Sequence, residues 1–351
     1  MNRLLCSIYM DDVKRAAYWD GIAWESFEGK TILISGITGL IGTFLTDVIM
    51  LRNRECGQHI RIVGISRNED KIRQRFSQYL DTREFQTISH DISQPLPNVK
   101  AEYVVHAASN THPTAYASQP IDTIMTNVSG CYQLLHLAAE QNARFLLMSS
   151  VEIYGENRGD TDYFSEDYTG ILKCNTLRAG YPESKRVSEA LCHAFIQEKG
   201  TDCVILRLSR IYGPTVATDD SKASSQFIQK AVHWENIVLK SAGTQLYSYT
   251  YVADAVLAVM LALQKGTTGE AYNVAAPDYD IQLKDFAGKA AELCGRNVVF
   301  ELPSAAEAAG YSTATKALLD GQKIKALGWK PLFTFDESLR HTVEILRELE
   351  K

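Results

Sequence analysis

The sequence predicts an α/β protein built on a doubly wound parallel sheet, and three observations carry that expectation. Short, near-continuously apolar runs alternate with segments whose apolar residues recur at helical spacing, the order of a parallel sheet with crossover helices. Three glycines, Gly36, Gly39 and Gly42, fall between the first such run and the first such helix. There a strand–turn–helix unit can bring backbone N–H groups up to a phosphate. Further on, Tyr181 and Lys185 open a helix that follows a run ending in Ser149 and Ser150.

In chain order, residues 1–28 read as a mixed, helical leader. Strands are expected at 31–35, 60–65, 85–90, 103–108, 145–149 and 203–208, most of them apolar throughout as strands buried on both faces are. Helices are expected between them at 40–51, 70–79, 121–141 and 182–199. From about Gly213 the pattern loosens into a smaller α/β lobe. It holds a helix near 223–233, a strand at 237–240 and helices at 252–263 and 336–350. The expected division is therefore a leader at 1–28, a dinucleotide-binding domain at 29–212 and a substrate lobe at 213–351. Some segments of that lobe should return to the main sheet.

Composition narrows the function. The chain has 351 residues, 45% hydrophobic and 22% charged, the balance of a folded rather than a disordered protein. Its formal charge is −6 and no basic run interrupts it, which argues against nucleic acids and anionic membranes as partners. The longest apolar run, near 255–263, falls far short of the roughly 18 residues a membrane span needs. The leader carries Asp11, Asp12, Asp20, Glu25 and Glu28 and no apolar stretch of a secretory signal. Seven scattered cysteines, never spaced as CxxC, argue against a disulfide framework or a metal site and for a reducing cytoplasm.

The glycine loop reads SGITGLIG, with Thr38, Leu40 and Ile41 completing the turn and the start of the helix. Its setting favours dinucleotide binding, with the pyrophosphate at the helix N-terminus. The end of the second strand selects the dinucleotide: a carboxylate there suits ribose hydroxyls, a basic residue a 2′-phosphate. The sequence offers Ser66 and Arg67. That tips the choice toward NADP and leaves NAD open, because Arg67 reads equally as a solvated loop charge. Asp91 and Ile92 suit the adenine edge, although an Asp there also reads as a turn residue.

Tyr181 and Lys185 share one helical face. A neighbouring ammonium lowers a phenol's pKa, so such a Tyr can take a proton from a substrate hydroxyl while hydride leaves the same carbon. Ser150, at the carboxyl end of its strand, stands where open α/β sheets bind ligands and can hydrogen-bond the reacting oxygen.

With these motifs assembled, the chain resembles the extended short-chain dehydrogenase/reductases, and within them the nucleotide-sugar epimerases, dehydratases and decarboxylases. The resemblance runs from about Gly29 onward through GITGLIG (36–42), HAAS (106–109), TNVSG (126–130), SSVEIYG (149–155), YPESK (181–185), RLSRIYGP (207–214) and LGWKP (327–331). It implies a Rossmann fold, an NAD(P) cofactor, a nucleotide-sugar substrate, and Ser150, Tyr181 and Lys185 as the catalytic group. It also implies that Asn127 supports the site and that Ala107, Ala108 and Ser109 line the cofactor. The stretch around Tyr116 and Thr126-Asn127-Val128 looks most like UDP-glucuronate decarboxylases, which share Glu152 two residues after the catalytic hydroxyl.

The sequence departs from that pattern at several points. Val151 stands where dehydratases usually place an Asp, and Tyr247 where many relatives carry an Arg; Arg210 and Gln226 stand where Asn is usual. Substrate contacts are therefore expected at Tyr116, Arg210, Lys222, Gln226 and Tyr247, with the diphosphate clamp rearranged around Arg210 and Lys222. Epimerisation through a transient 4-keto sugar survives these departures best, because it asks only for Ser150, Tyr181, Lys185 and a cofactor; Glu152 would serve a second proton transfer. A 4-keto reductase or a decarboxylase is the alternative, and a non-catalytic dinucleotide sensor is the alternative of another class. Apolar residues beyond one inward stripe, including Ile124, Tyr132, Leu135, Val187 and Leu191, predict a homodimer through the helices at 121–141 and 182–199.

Overall fold

The computed structural model describes residues 2–111, 118–301 and 314–351. Seven parallel strands form its central sheet: β1 (Thr31–Ser35), β2 (Arg61–Ser66), β3 (Phe85–Ser89), β4 (Tyr103–His106), β5 (Arg144–Ser150), β6 (Cys203–Leu208) and, after three strands placed elsewhere, β10 (Ala271–Val274). Their order is β10-β6-β5-β4-β1-β2-β3. Every pairing is parallel, so the order reverses between β1 and β4, where open α/β sheets leave a crevice. The expected doubly wound sheet is what forms.

The physical reason lies in burial. All five residues of β1 are buried, and β5 is buried from its second residue on, so these strands need helices on both faces. The leader contributes α1 (Ser7–Ala17), and α2 (Leu40–Cys56) and α3 (Glu69–Phe76) follow the first two strands. Next come α4 (Pro120–Gln141) and α5 (Gly180–Lys199), which pack against each other. Pro120 opens α4, where its missing N–H costs nothing, and Gly200 closes α5 in the left-handed conformation.

Beyond β6 the chain builds a second layer. A small sheet centres on β9 (Leu246–Tyr251), which pairs in parallel with β7 (Arg210–Tyr212) and antiparallel with β11 (Asp280–Gln282). The short β13 (Lys316–Ala317) joins it in parallel, and β8 (Ile237–Leu239) pairs with β12 (Val298–Phe300) alone. The helices are α6 (Ala223–Val232), α7 (Val252–Lys265), α8 (Leu283–Glu292), α9 (Gln322–Ala326) and α10 (Phe335–Leu349). The sequence pattern alone marks no element at β7, β9, β11 or α8, which fall in its irregular stretches. Tyr247, Tyr249 and Tyr251 alternate with polar residues, yet nearly all of β9 is buried on both faces, so alternation there did not mark a solvent face.

The leader does not stand apart. Its α1 packs on α2, α7 and α10, and Asp12 accepts hydrogen bonds from Tyr251 (2.6 Å) and pairs with His341 (2.8 Å). Among the described residues no helix is long and apolar enough to cross a membrane, and no cluster of His, Cys, Asp and Glu is arranged to hold a metal.

Candidate active site

The cleft opens at the carboxyl ends of β1, β4 and β5. Gly36 follows β1 with φ +69°, and a Cβ there would lie 2.6 Å from the Ala108 Cα, so only glycine admits this approach of two backbones. A Cβ at Gly42 would meet the Gly36 carbonyl oxygen at 2.7 Å. The turn is thus a cradle whose closest backbone approaches fall on glycines at the start of α2, with Gly39, Leu40 and Ile41 on the wall of the cleft. This fits a dinucleotide pyrophosphate, whose oxygens need exposed backbone N–H groups and the positive end of a helix.

Two adjoining cavities run from this cradle. The larger, about 940 Å³, is walled by Thr38, Ser66, Arg67, Asp91, Ile92 and Ala108. Ala107 and Ser109 line both. Ser66 Oγ and Thr38 Oγ1 lie 3.1 Å apart. Arg67 is neither a bare loop charge nor an open phosphate ligand, because its guanidinium donates to Asp122 of α4 at 2.7 Å. Asp91 accepts from both the N–H and the hydroxyl of Ser93 at 2.9 Å, the turn-residue alternative, while still facing the cavity.

The smaller cavity, about 490 Å³, holds Ser150, Glu152, Tyr181 and Lys185 on one wall. Ser150 ends β5 and Tyr181 begins α5; their side chains hydrogen-bond each other. Burial pushes the Tyr181 hydroxyl up to about 12, opposed by that Ser150 bond; Glu152 raises it further and Arg178 lowers it. Lys185 donates to the Met148 carbonyl at 2.8 Å. Burial brings its ammonium down to about 8. The cation that lowers the Tyr181 hydroxyl in this structure is Arg178, while the Lys185 ammonium is turned to the Met148 carbonyl.

Arg178 was not singled out from the sequence. It precedes Tyr181 by three residues and Lys185 by seven, so all three share a helical face, which is the signal that could have found it. Its Nη2 donates to Glu152 at 3.0 Å, and Arg210 approaches the other Glu152 oxygen at 3.6 Å. Glu152 is thus bracketed by two guanidinium groups. Arg210 stacks over the Tyr247 ring at 3.5 Å, and its Nη1 is buried without a hydrogen-bond partner among the described residues. Tyr247 donates to the Ala314 carbonyl at 2.7 Å.

Lys222 and Gln226 also line the smaller cavity. Lys222 Nζ reaches Asp220 (2.8 Å) and Thr111 (3.2 Å), and Gln226 donates to the Ser221 carbonyl (2.9 Å). Asn127 lies behind the wall rather than on it: its side-chain amide donates to Ser184 Oγ (2.9 Å), one helical turn along α5 from Tyr181, so it braces that turn. Tyr116 falls outside the described residues.

A glycine cradle joined to a Ser–Tyr–Lys wall is the site of a dinucleotide-dependent enzyme of the short-chain dehydrogenase/reductase type. Residues 32–275 match the model of the NAD dependent epimerase/dehydratase family, and the chain belongs to that family. UDP-glucuronic acid decarboxylase 1 of Xenopus tropicalis is 30% identical over 325 residues, 91% of this chain and 72% of its own. UDP-glucuronic acid decarboxylase 6 of Arabidopsis thaliana is 31% identical over 238 residues, 68% of this chain and 67% of its own. In fold, the chain is similar to a UDP-glucose 4-epimerase of Thermotoga maritima (TM-score 0.77, 22% identity, covering 92% of this chain and 100% of that one). It is also similar to a UDP-glucuronic acid 4-epimerase of Bacillus cereus solved with UDP-glucuronic acid and NAD (TM-score 0.76, 22% identity, covering 91% and 99%).

Proposed function

We propose that this protein oxidises a ring hydroxyl of a nucleotide sugar transiently, at C4, and returns the hydride to the same sugar with the configuration changed. The observation that carries this reading is the hydrogen-bonded Ser150 and Tyr181 pair, with Lys185, on the wall of a cavity that adjoins the glycine cradle. Bound there, an oxidised nicotinamide supplies the hydride acceptor. Tyr181 takes the proton of the substrate hydroxyl, and Ser150 holds the reacting oxygen in line with it. Buried Lys185 supplies the positive charge under the nicotinamide end of the cleft. Residues 29–212 would hold the cofactor and 213–351 the sugar nucleotide, with Lys222 and Gln226 as substrate contacts.

A decarboxylase is the second reading, and one feature favours it. Flanked by Arg178 and Arg210, Glu152 forms with them a cluster of one net positive charge, which suits a hexuronate carboxylate. The UDP-glucuronic acid decarboxylases among the relatives agree with it. NAD is proposed over NADP, because a guanidinium already paired with Asp122 offers less to a 2′-phosphate than the sequence alone suggested. A cytoplasmic location is proposed on the seven free cysteines. A homodimer is proposed through α4 and α5, where Ile121, Met125, Tyr132 and Val187 are exposed.

The test is incubation with UDP-hexoses and UDP-hexuronates, read by NMR for a C4 epimer, released carbon dioxide or neither. Tyr181→Phe should lower turnover by roughly 100- to 10,000-fold while dinucleotide binding persists. Full activity in that variant would remove Tyr181 from its role. No product from any sugar nucleotide would return the sensor reading.

A further inference from the structure

The two cavities meet at a neck, and the residues common to both identify it. Gly36 and Gly39 come from the glycine loop, Ser109 and Asn110 from the segment after β4, and Val216 and Asp219 from residues 214–221. A dinucleotide with its pyrophosphate on the cradle must thread this neck, adenosine in the larger cavity and nicotinamide in the smaller. Residues 214–221 connect β7 to α6 and belong to neither, so what ties them down decides whether the neck can open.

Two bonds do so. Thr215 Oγ1 donates to the Leu40 carbonyl at the start of α2 (2.7 Å), and Arg75 Nη1 donates to the Thr215 carbonyl (2.8 Å). Arg75 belongs to α3, and the same nitrogen reaches Thr43 of α2 at 3.3 Å. Its own backbone is held from the leader: Arg3 Nη1 donates to the Arg75 carbonyl (2.5 Å), while the rest of the Arg3 fork grips Asp47 of α2 at 2.6 and 2.9 Å. Asp47 is buried and also accepts from Tyr9 and Tyr79, so the bracing point is fixed from several sides. A chain of charge-assisted bonds thus runs from leader to α2 and α3 and on to residues 214–221, which are bonded back to the helix that follows the cradle.

We propose that residues 214–221 are a latch across the bound dinucleotide, and that Arg75, braced by Arg3, is the positioning residue that keeps it shut. The proposal rests on the dinucleotide reading above and adds retention to it. A cofactor held this way exchanges slowly, which suits a reaction that regenerates its cofactor within each turnover over one that consumes it.

The experiment loads the full chain with labelled NAD, chases with unlabelled NAD and follows release, alongside hydrogen exchange of the 215–221 amides without ligand. Arg75→Ala and Thr215→Val should each speed release by about tenfold, the loss of one bond of this kind, and deprotect those amides. Arg75→Lys keeps a cationic donor for the Thr215 carbonyl and should recover most of the retention. Ile324→Ala, on α9 and outside both cavities, controls for general destabilisation. Unchanged release in Arg75→Ala and Thr215→Val, or equal acceleration in Ile324→Ala, overturns the latch. Failure to take up any NAD removes the cofactor reading and the latch together. Slow NAD release without sugar turnover upholds the latch and counts against the proposed reaction alone.

Discussion

Glu152 and Arg178 meet at 3.0 Å, one rung away from the hydrogen-bonded Ser150 and Tyr181. One rung joins the end of β5 to the first turn of α5 and the other joins the turns just after β5 and just before α5, so neighbouring residues set the reactive hydroxyl and the carboxylate. The pair acts on Tyr181 with opposite signs, Glu152 raising its pKa and Arg178 lowering it.

That opposition gives a directional test. In Arg178→Ala the activity limb governed by Tyr181 should move to higher pH, and in Glu152→Gln to lower pH, read from kcat/KM against pH. Each variant should lose about tenfold in kcat, and the double variant little more than the worse single one, because the two residues act through each other. Shifts in the same direction would show that neither charge reaches Tyr181.

A second test uses stability. Asp254 is buried on α7, accepting from the Leu332 N–H (2.7 Å) and the Tyr279 hydroxyl (3.1 Å), and burial raises it from 3.8 to about 7. The folded protein therefore keeps a proton there that the unfolded chain releases at lower pH. Stability from this group is full below about pH 4 and is lost as the pH rises through 7. Asp254→Asn abolishes that loss, so its melting temperature should gain on the wild type from pH 5 to about pH 7 and level off above it. A constant difference across that range would place the Asp254 pKa elsewhere.

Cofactor choice is testable at the Arg67 and Asp122 pair. Asp122→Asn frees the guanidinium and should tighten NADP binding by several-fold with little change for NAD, measured by fluorescence titration. Arg67→Ala should leave NAD affinity nearly unaltered. If NADP binds the wild type better than NAD, the paired guanidinium is not the deciding group.

The assembly test must use the right side chains. Leu135, expected from the sequence among the outer apolar residues of α4, is fully buried against the central sheet, so a charge there would damage the monomer. Tyr132 and Val187 are 45% and 44% exposed. Light scattering should give a doubled mass for the wild type and a single-chain mass for Tyr132→Glu or Val187→Glu, both still folded. A wild type at the single-chain mass would reject the dimer.

Local pattern by itself determined the parallel sheet, since β1 and β6 are apolar runs whose bounds match the expected ones, and α4 and α5 fall within two residues of theirs. It also determined the glycine cradle and the facing of Tyr181 and Lys185, because strand burial, helical repeat and turn chemistry act over a few residues and leave their mark in order along the chain. Only the tertiary structure decided the partners. Arg67 turned to Asp122, Lys185 to the Met148 carbonyl, Arg178 and Arg210 to Glu152, and Arg75 to Thr215, the last across 140 positions of sequence. A charged side chain in a sequence has many possible partners, and which one it meets is fixed by packing between elements far apart in the chain. The same reason hid β7 and β9: their burial comes from the helices and strands that close over them, not from their own alternation.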